Sequence, residues 1–341
     1  MNSRKFLLWL LILSIALIIT LIISLGVGAV FIPPDRVFAV LVNPNQSGLD
    51  SSDIAIVRDL RLARVLLVTL VGAGLAAAGA AFQALFRNPL ADPYIIGASS
   101  GASLGATLAI AFGLTWKFAG FRPIPLAAFL GALSAVFLVY IIAGGNSKAT
   151  VISLLLAGAA VSTVLSSMVS LLMLTKSEST HEIFAWLMGS FSGRSWPQLW
   201  SSGPYLVLGI LMLWLVSRPL DALSCGEDTA RTIGLSISKA RGVIIAAASL
   251  VTAAAVASSG VIGFVGLVAP HIARLLFGAS HHRLIPASAI IGGLLTLLAD
   301  DLARTLMAPY ELPVGLITSL VGGSFFLYLI RARQRSLRGK S

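Results

Sequence analysis

RPLDALSCGEDTARTIGLSISKAR, residues 218–241, interrupts a chain otherwise built of long apolar runs. It mixes Asp221, Glu227, Asp228, Arg231, Lys239 and Arg241 with apolar residues. Hydrocarbon offers such groups no partner, and each unsatisfied polar group there costs several kcal/mol. The stretch therefore lies outside the bilayer, between two membrane halves. Gly226 and Gly234 break it into two short helices, too small to form a domain. It serves either as a solvated linker or as a contact surface for a partner, and the rest of the chain has to decide between them.

The 341 residues are 57% hydrophobic and 11% charged. Soluble domains carry about 25% charged residues, so this is an integral membrane protein. Its one cysteine, Cys225, excludes an internal disulfide and any CxxC motif. It reads as a small filler residue in the loop. The formal charge of +11 is explained by membrane topology rather than by nucleic acid.

Apolar runs of a length that crosses a bilayer fall at 6–30, 65–86, 94–115, 124–143, 150–174, 198–217, 242–258, 261–277, 285–305 and 313–330. The expectation is an all-α bundle of ten transmembrane helices in a single unit, 1–341, with a short interfacial helix over 35–41. Ten crossings put both termini on one side. Fifteen of the 24 Lys and Arg fall on that side, including Arg87, Lys148 and the basic 331–341 tail. The other nine are Arg36, Arg58, Arg61, Arg64, Lys117, Arg122, Lys176, Arg194 and Arg304. The majority side is cytoplasmic, which makes 218–241 cytoplasmic, in a cell (prokaryotic inner) membrane, and lets the tail lie on anionic lipid. Small residues in 72–79 and 97–106 allow close helix packing, and the second run also suits a helix lining a passage.

Chemistry is sparse. No G-x-x-x-x-G-K-[ST] occurs: Gly339-Lys340-Ser341 has the closing letters, but Gln334 stands at the first glycine position. His181, His271, His281 and His282 do not have HExxH spacing, and no metal site is expected. His281-His282 reads as a solvated pair in a turn, and His271, after Pro270 at a helix end, as a capping or packing residue. Asp300 and Asp301 lie inside a span, where an acid costs about 2.5–3.5 kcal/mol at the centre. They either pair with Arg304, one turn away, or couple transport to protons or ions.

Longer motifs carry a resemblance. Arg61-Leu62-Ala63-Arg64, Gln83 through Pro93, Gly97-Ala98-Ser99-Ser100-Gly101-Ala102, Trp186-Leu187-Met188-Gly189-Ser190, Gly226 through Leu235, Gly260 through His271, Ala299-Asp300 and Glu311-Leu312-Pro313-Val314-Gly315 occur in order. Together they resemble the FecCD-type permease subunits of importers for ferric siderophores, haem and cobalamin. Ala63 departs from the usual RxPR.

The resemblance implies a type II ABC importer fold and a homodimer with the pathway at its centre. It also implies two cytoplasmic ATPases and an external solute-binding protein. The chain itself would be no enzyme and bind no cofactor, with ATP and Mg²⁺ held by the ATPase subunits. Leu223, Gly226, Glu227, Ala230, Arg231, Gly234 and Leu235 would then couple to the ATPases. Asn88 and Leu90, with Thr150 and Val151 facing them, would form the cytoplasmic gate. Arg61, Arg64 and Arg304 would dock the binding protein, which also accounts for the four arginines of 36–64 lying against the positive-inside tendency. The same motifs serve several substrates, so the substrate itself stays open.

Overall fold

The computed structural model describes residues 3–43, 49–116, 122–145 and 150–338. Lys117, Lys148 and the last three residues of the basic tail lie outside the described residues. Seven helices are long and apolar enough to cross a membrane, among the described residues. They are α1 (Ser3–Gly26), α3 (Ser51–Leu85), α5 (Pro123–Ile142), α6 (Val151–Thr175), α8 (Trp196–Leu215), α11 (Ile237–Ser259) and α13 (His281–Thr305). Three apolar helices are shorter: α4 (Ala98–Ala111), α12 (Val265–Phe277) and the apolar part of α14 (Val314–Arg338). All ten coincide with the expected spans. The minor helices are α2 (Pro34–Val42), at the expected interfacial position, α7 (Thr180–Leu187), α9 (Ser217–Ser224) and α10 (Glu227–Thr232).

α3 is the central helix. It packs against α8, α11, α12 and most extensively α13, and nearly all its side chains from Ala63 onward are buried. Backbone contact makes this possible: a Cβ on Gly72 would stand 2.4 Å from the Gly292 carbonyl oxygen, and one on Gly292 equally close to that of Gly72. Without a hydrophobic drive between helices in lipid, such close packing is a main source of association. The same logic holds for the 97–106 run, which packs against α5 as its small residues allow: a Cβ on Gly101 would lie 2.3 Å from the Gly131 carbonyl oxygen.

A 13-residue helix rises only about 20 Å, against a hydrocarbon core of about 30 Å. α12 therefore cannot cross alone, and non-helical segments complete it and α4. Irregular backbone at that depth is tolerated only when buried in protein or lining a water-filled cavity, and here protein covers it. Tyr94 Oη donates to the Ile262 carbonyl oxygen (3.1 Å) and accepts from the Ile262 amide (3.3 Å). The Ser190 amide donates to Ser259 O at 2.7 Å, and that of Gly315 to Gly189 O at 3.2 Å.

The histidines follow expectation only in part. His271 sits inside α12 rather than at its end, edge-on to Phe325 at 6.2 Å. His281 is buried and begins α13, and His282 stacks on Trp214 at 5.2 Å. His281 is thus packed rather than solvated, whereas His282 stays exposed and His271 keeps the expected packing role. Cys225 is exposed and fills nothing.

Candidate functional site

The two ends of the bundle carry different chemistry. At the end away from the 218–241 loop, the start of α3 meets the ends of α1 and α13. Residues Ala55–Leu62 of α3 are π-helical, which frees backbone groups: Trp196 Nε1 donates to Arg58 O at 3.0 Å. It also sends the two arginines in different directions. Arg61 donates to the carbonyl oxygens of Leu25 (2.9 Å) and Val30, capping the end of α1. Arg64 forks between Asp300 (Nη2 to Oδ1, 3.0 Å) and Glu311 (Nη1 to Oε1, 2.8 Å, and Oε2, 2.9 Å). Arg304 Nε lies 3.1 Å from Asp300 Oδ2, and its Nη atoms reach Asp301 and Val27 O (2.9 Å). Ser24 donates to Asp301.

The expected Asp300–Arg304 pair is thus part of a network joining α1, α3, α13 and the 306–313 loop. The exposure expected of the three arginines is not found: Arg61, Arg64 and Arg304 are 8%, 8% and 4% exposed, and Asp300 is 0%. Buried charges in low dielectric must be paired or hydrogen-bonded: Arg64, Arg304 and Asp300 pair with one another's charges, and Arg61 rests on two carbonyl oxygens. The three arginines do share one cavity of about 370 Å³, walled also by Glu311 and Arg194. Burial pushes the Glu311 carboxyl up, but the hydrogen bonds and charge of Arg64 outweigh it and hold it below its ordinary value. Glu311 was legible in its motif, but only its position across from Arg64 shows what it does.

At the loop end, α9 lays Ser217, Leu220 and Leu223 inward, against α3 and α13. Asp221 accepts from the His281 amide at 2.8 Å and lies 2.6 Å from His281 Nδ1. Trp214 Nε1 donates to His282 O at 3.1 Å. Glu227, first residue of α10, pairs with Arg241 at 2.6 Å, an acid at the positive end of a helix dipole. The loop is therefore fixed to α11 and α13 rather than being a free linker.

This geometry sorts the coupling residues. Leu223 and Ala230 are buried, 4% and 0% exposed, because each is the inward residue of its short helix. They shape the loop and do not offer surface. Arg231 and Gly234 are exposed, and Glu227, Gly226 and Leu235 are half-buried. The large apolar side chain that does face outward is Ile233, 68% exposed. An apolar residue between Thr232 and Gly234 gave the only sequence signal for it.

Asn88 and Leu90 are exposed in the turn after α3, where the Leu90 amide donates to Asn88 Oδ1 at 3.0 Å. Thr150 caps α6, and its Oγ1 accepts from the Ser153 amide at 3.1 Å. The 86–97 connection meets α6 further along, where a Cβ on Gly158 would lie 2.5 Å from Ile95 O. Thr150 and Val151 therefore sit about two turns from that contact.

Similar proteins span nearly the whole chain. A cobalamin import system permease protein of Halobacterium salinarum is 42% identical, over 85% of this chain and 77% of its own. An Fe(3+)-citrate import system permease protein of Bacillus subtilis is 38% identical over 98% of each. A solved structure described as a metal-chelate type ABC transporter in an inward-facing conformation superposes with a TM-score of 0.82 at 34% identity, covering 95% of this chain and 98% of its own. Residues 16–332, from the middle of α1 into α14 and through both ends of the bundle, match the FecCD transport family, and the chain belongs to it.

Proposed function

We propose that this chain is the permease subunit of an ATP-binding-cassette importer and forms the pathway for an iron-siderophore, haem or cobalamin-type substrate. The family match across residues 16–332 carries this reading, and relatives named for cobalamin and for ferric citrate bracket the substrate class. The chain acts as one permease unit, 1–341, paired with a second copy. α6 and α14 expose the apolar faces such a pairing needs, with Ile152, Leu156 and Val164 on one and Leu320 and Val321 on the other.

The 217–235 side is cytoplasmic, with both termini. Two ATPase subunits dock there and supply the ATP and Mg²⁺ chemistry, while this chain binds no cofactor. Arg231, Ile233 and Gly234 make the contact, and Glu227, Ala230 and Leu223 hold its shape. Asn88 and Leu90, with Thr150 and Val151, form the gate at that side. At the far side a solute-binding protein docks over the cavity of Arg61, Arg64 and Arg304. Asp300 and Asp301 are committed to arginines, so nothing favours proton coupling.

The test is reconstitution into proteoliposomes with the ATPase and binding protein that co-purify with the chain. ATP-dependent uptake of one labelled cobalamin, ferric siderophore or haem is the expected result. Uptake by the chain alone, driven by a pH gradient, would overturn the proposal.

A further inference from the structure

A second cavity, of about 520 Å³, opens at the far end beside the ion-pair network and shares Arg194 with the first. Trp116 after α4, Arg122 before α5, Glu182 and Trp186 of α7, and Ser192 and Arg194 before α8 wall it. Its arginines differ from those of the network. Arg61, Arg64 and Arg304 all have acceptors, whereas neither Arg122 nor Arg194 has an ion pair among the described residues. Arg194 Nε and Trp186 Nε1 are buried with no hydrogen-bond partner among the described residues. Unsatisfied buried donors are costly and uncommon. Burial, then the charge of Arg122, holds the Arg194 guanidinium below its ordinary value. The one carboxylate of the wall, Glu182, is exposed.

We propose that this cavity binds a phosphate-type oxyanion, received by the guanidiniums of Arg122 and Arg194 and the indole N–H of Trp186. The guanidinium fork matches the spacing of phosphate oxygens, and an anion between the two arginines removes their mutual repulsion. The site lies where α4 ends and α5 begins, the depth of a headgroup layer, where tryptophan is enriched. A phospholipid headgroup and a free phosphate present the same chemistry there.

Two arms of one experiment distinguish the sources. Delipidated full-length protein in detergent is titrated with inorganic phosphate and followed by thermal midpoint, which a ligand of the folded state raises saturably. In parallel, protein from nanodiscs containing phosphatidylglycerol is examined for retained lipid by native mass spectrometry. Arg122→Gln and Arg194→Gln should each weaken binding about tenfold, the loss of one charge-assisted hydrogen bond. Arg36→Gln, whose arginine already pairs with Asp50 and Asp53, should leave binding unchanged. Arg122 is exposed at a helix start, so its variant folds even if that of Arg194 does not. Loss in the phosphate arm alone identifies a free anion, and loss of retained lipid identifies a headgroup. Binding of neither probe, equal binding by wild type and Arg122→Gln, or an equal loss in Arg36→Gln would overturn the site.

Discussion

Asp300 is fully buried between two arginines from two helices. Replacing it by Asn keeps the shape and removes the charge, leaving Arg64 and Arg304 short of an anion. Breaking a buried pair this way costs about 3–5 kcal/mol, so Asp300→Asn should lower the thermal midpoint sharply in detergent, and an unchanged midpoint would refute the network. Glu311 gives a pH signature of known sign. Its folded value lies below the ordinary 4.5, so its contribution is present above that value and fades as pH falls through the lower folded value. Glu311→Gln should therefore be less stable than wild type at pH 7 and converge with it in acid. The sequence displayed Arg64, Asp300 and Glu311 but not their junction. Helical spacing offers Asp300 a neighbour at Arg304, four residues away, and is silent about one 236 positions distant.

Elements repeat the same division. The ten spans were legible because hydrophobic length alone sets them. The shortness of α4 and α12 was not, since the apolar run continues through the irregular segments 94–97 and 260–264. The two short loop helices were legible from their glycines, but not which way each faced. Six residues of α10 hold too few positions to define a face, so Ala230 reads as surface when it is buried. Ala230→Trp should accordingly destabilise the loop itself. Ile233→Asp alters only exposed surface and should leave the fold intact while weakening ATPase association several-fold. Pull-down and transport-coupled ATP hydrolysis measure this, and wild-type values in both would exclude Ile233 from the contact. His281→Ala removes the side-chain half of the tie between α9 and α13, leaving the amide bond to Asp221, and should reduce transport-coupled ATP hydrolysis with little change in ATPase pull-down.

Across the whole molecule, charge is arranged by end. The far end holds Arg36, Arg58, Arg61, Arg64, Arg122, Arg194 and Arg304, but also Asp35, Asp50, Asp53, Asp59, Glu182, Asp300, Asp301 and Glu311. Attraction of an acidic partner would therefore rest on exposed arginines such as Arg58, and its on-rate would fall with salt. Because Arg61 and Arg64 are buried, reversing them would unfold the site. Arg58→Glu in the same segment is the cleaner test, and a binding-protein on-rate unchanged at low salt would exclude docking at this face. α13 connects that end to the other. It is 25 residues long, about 37 Å of stiff helix, gripped at its start by Asp221 and at its finish by Arg64 and, through Arg304, the end of α1. Along its middle it meets α3 backbone to backbone at Gly72 and Gly292, and the side chains of Thr296 and Ala76 key into the same contact. In mechanical terms it is a keyed shaft rather than a free pushrod. A force applied at its loop end would have to carry α3 with it, so the two helices should move as one rod.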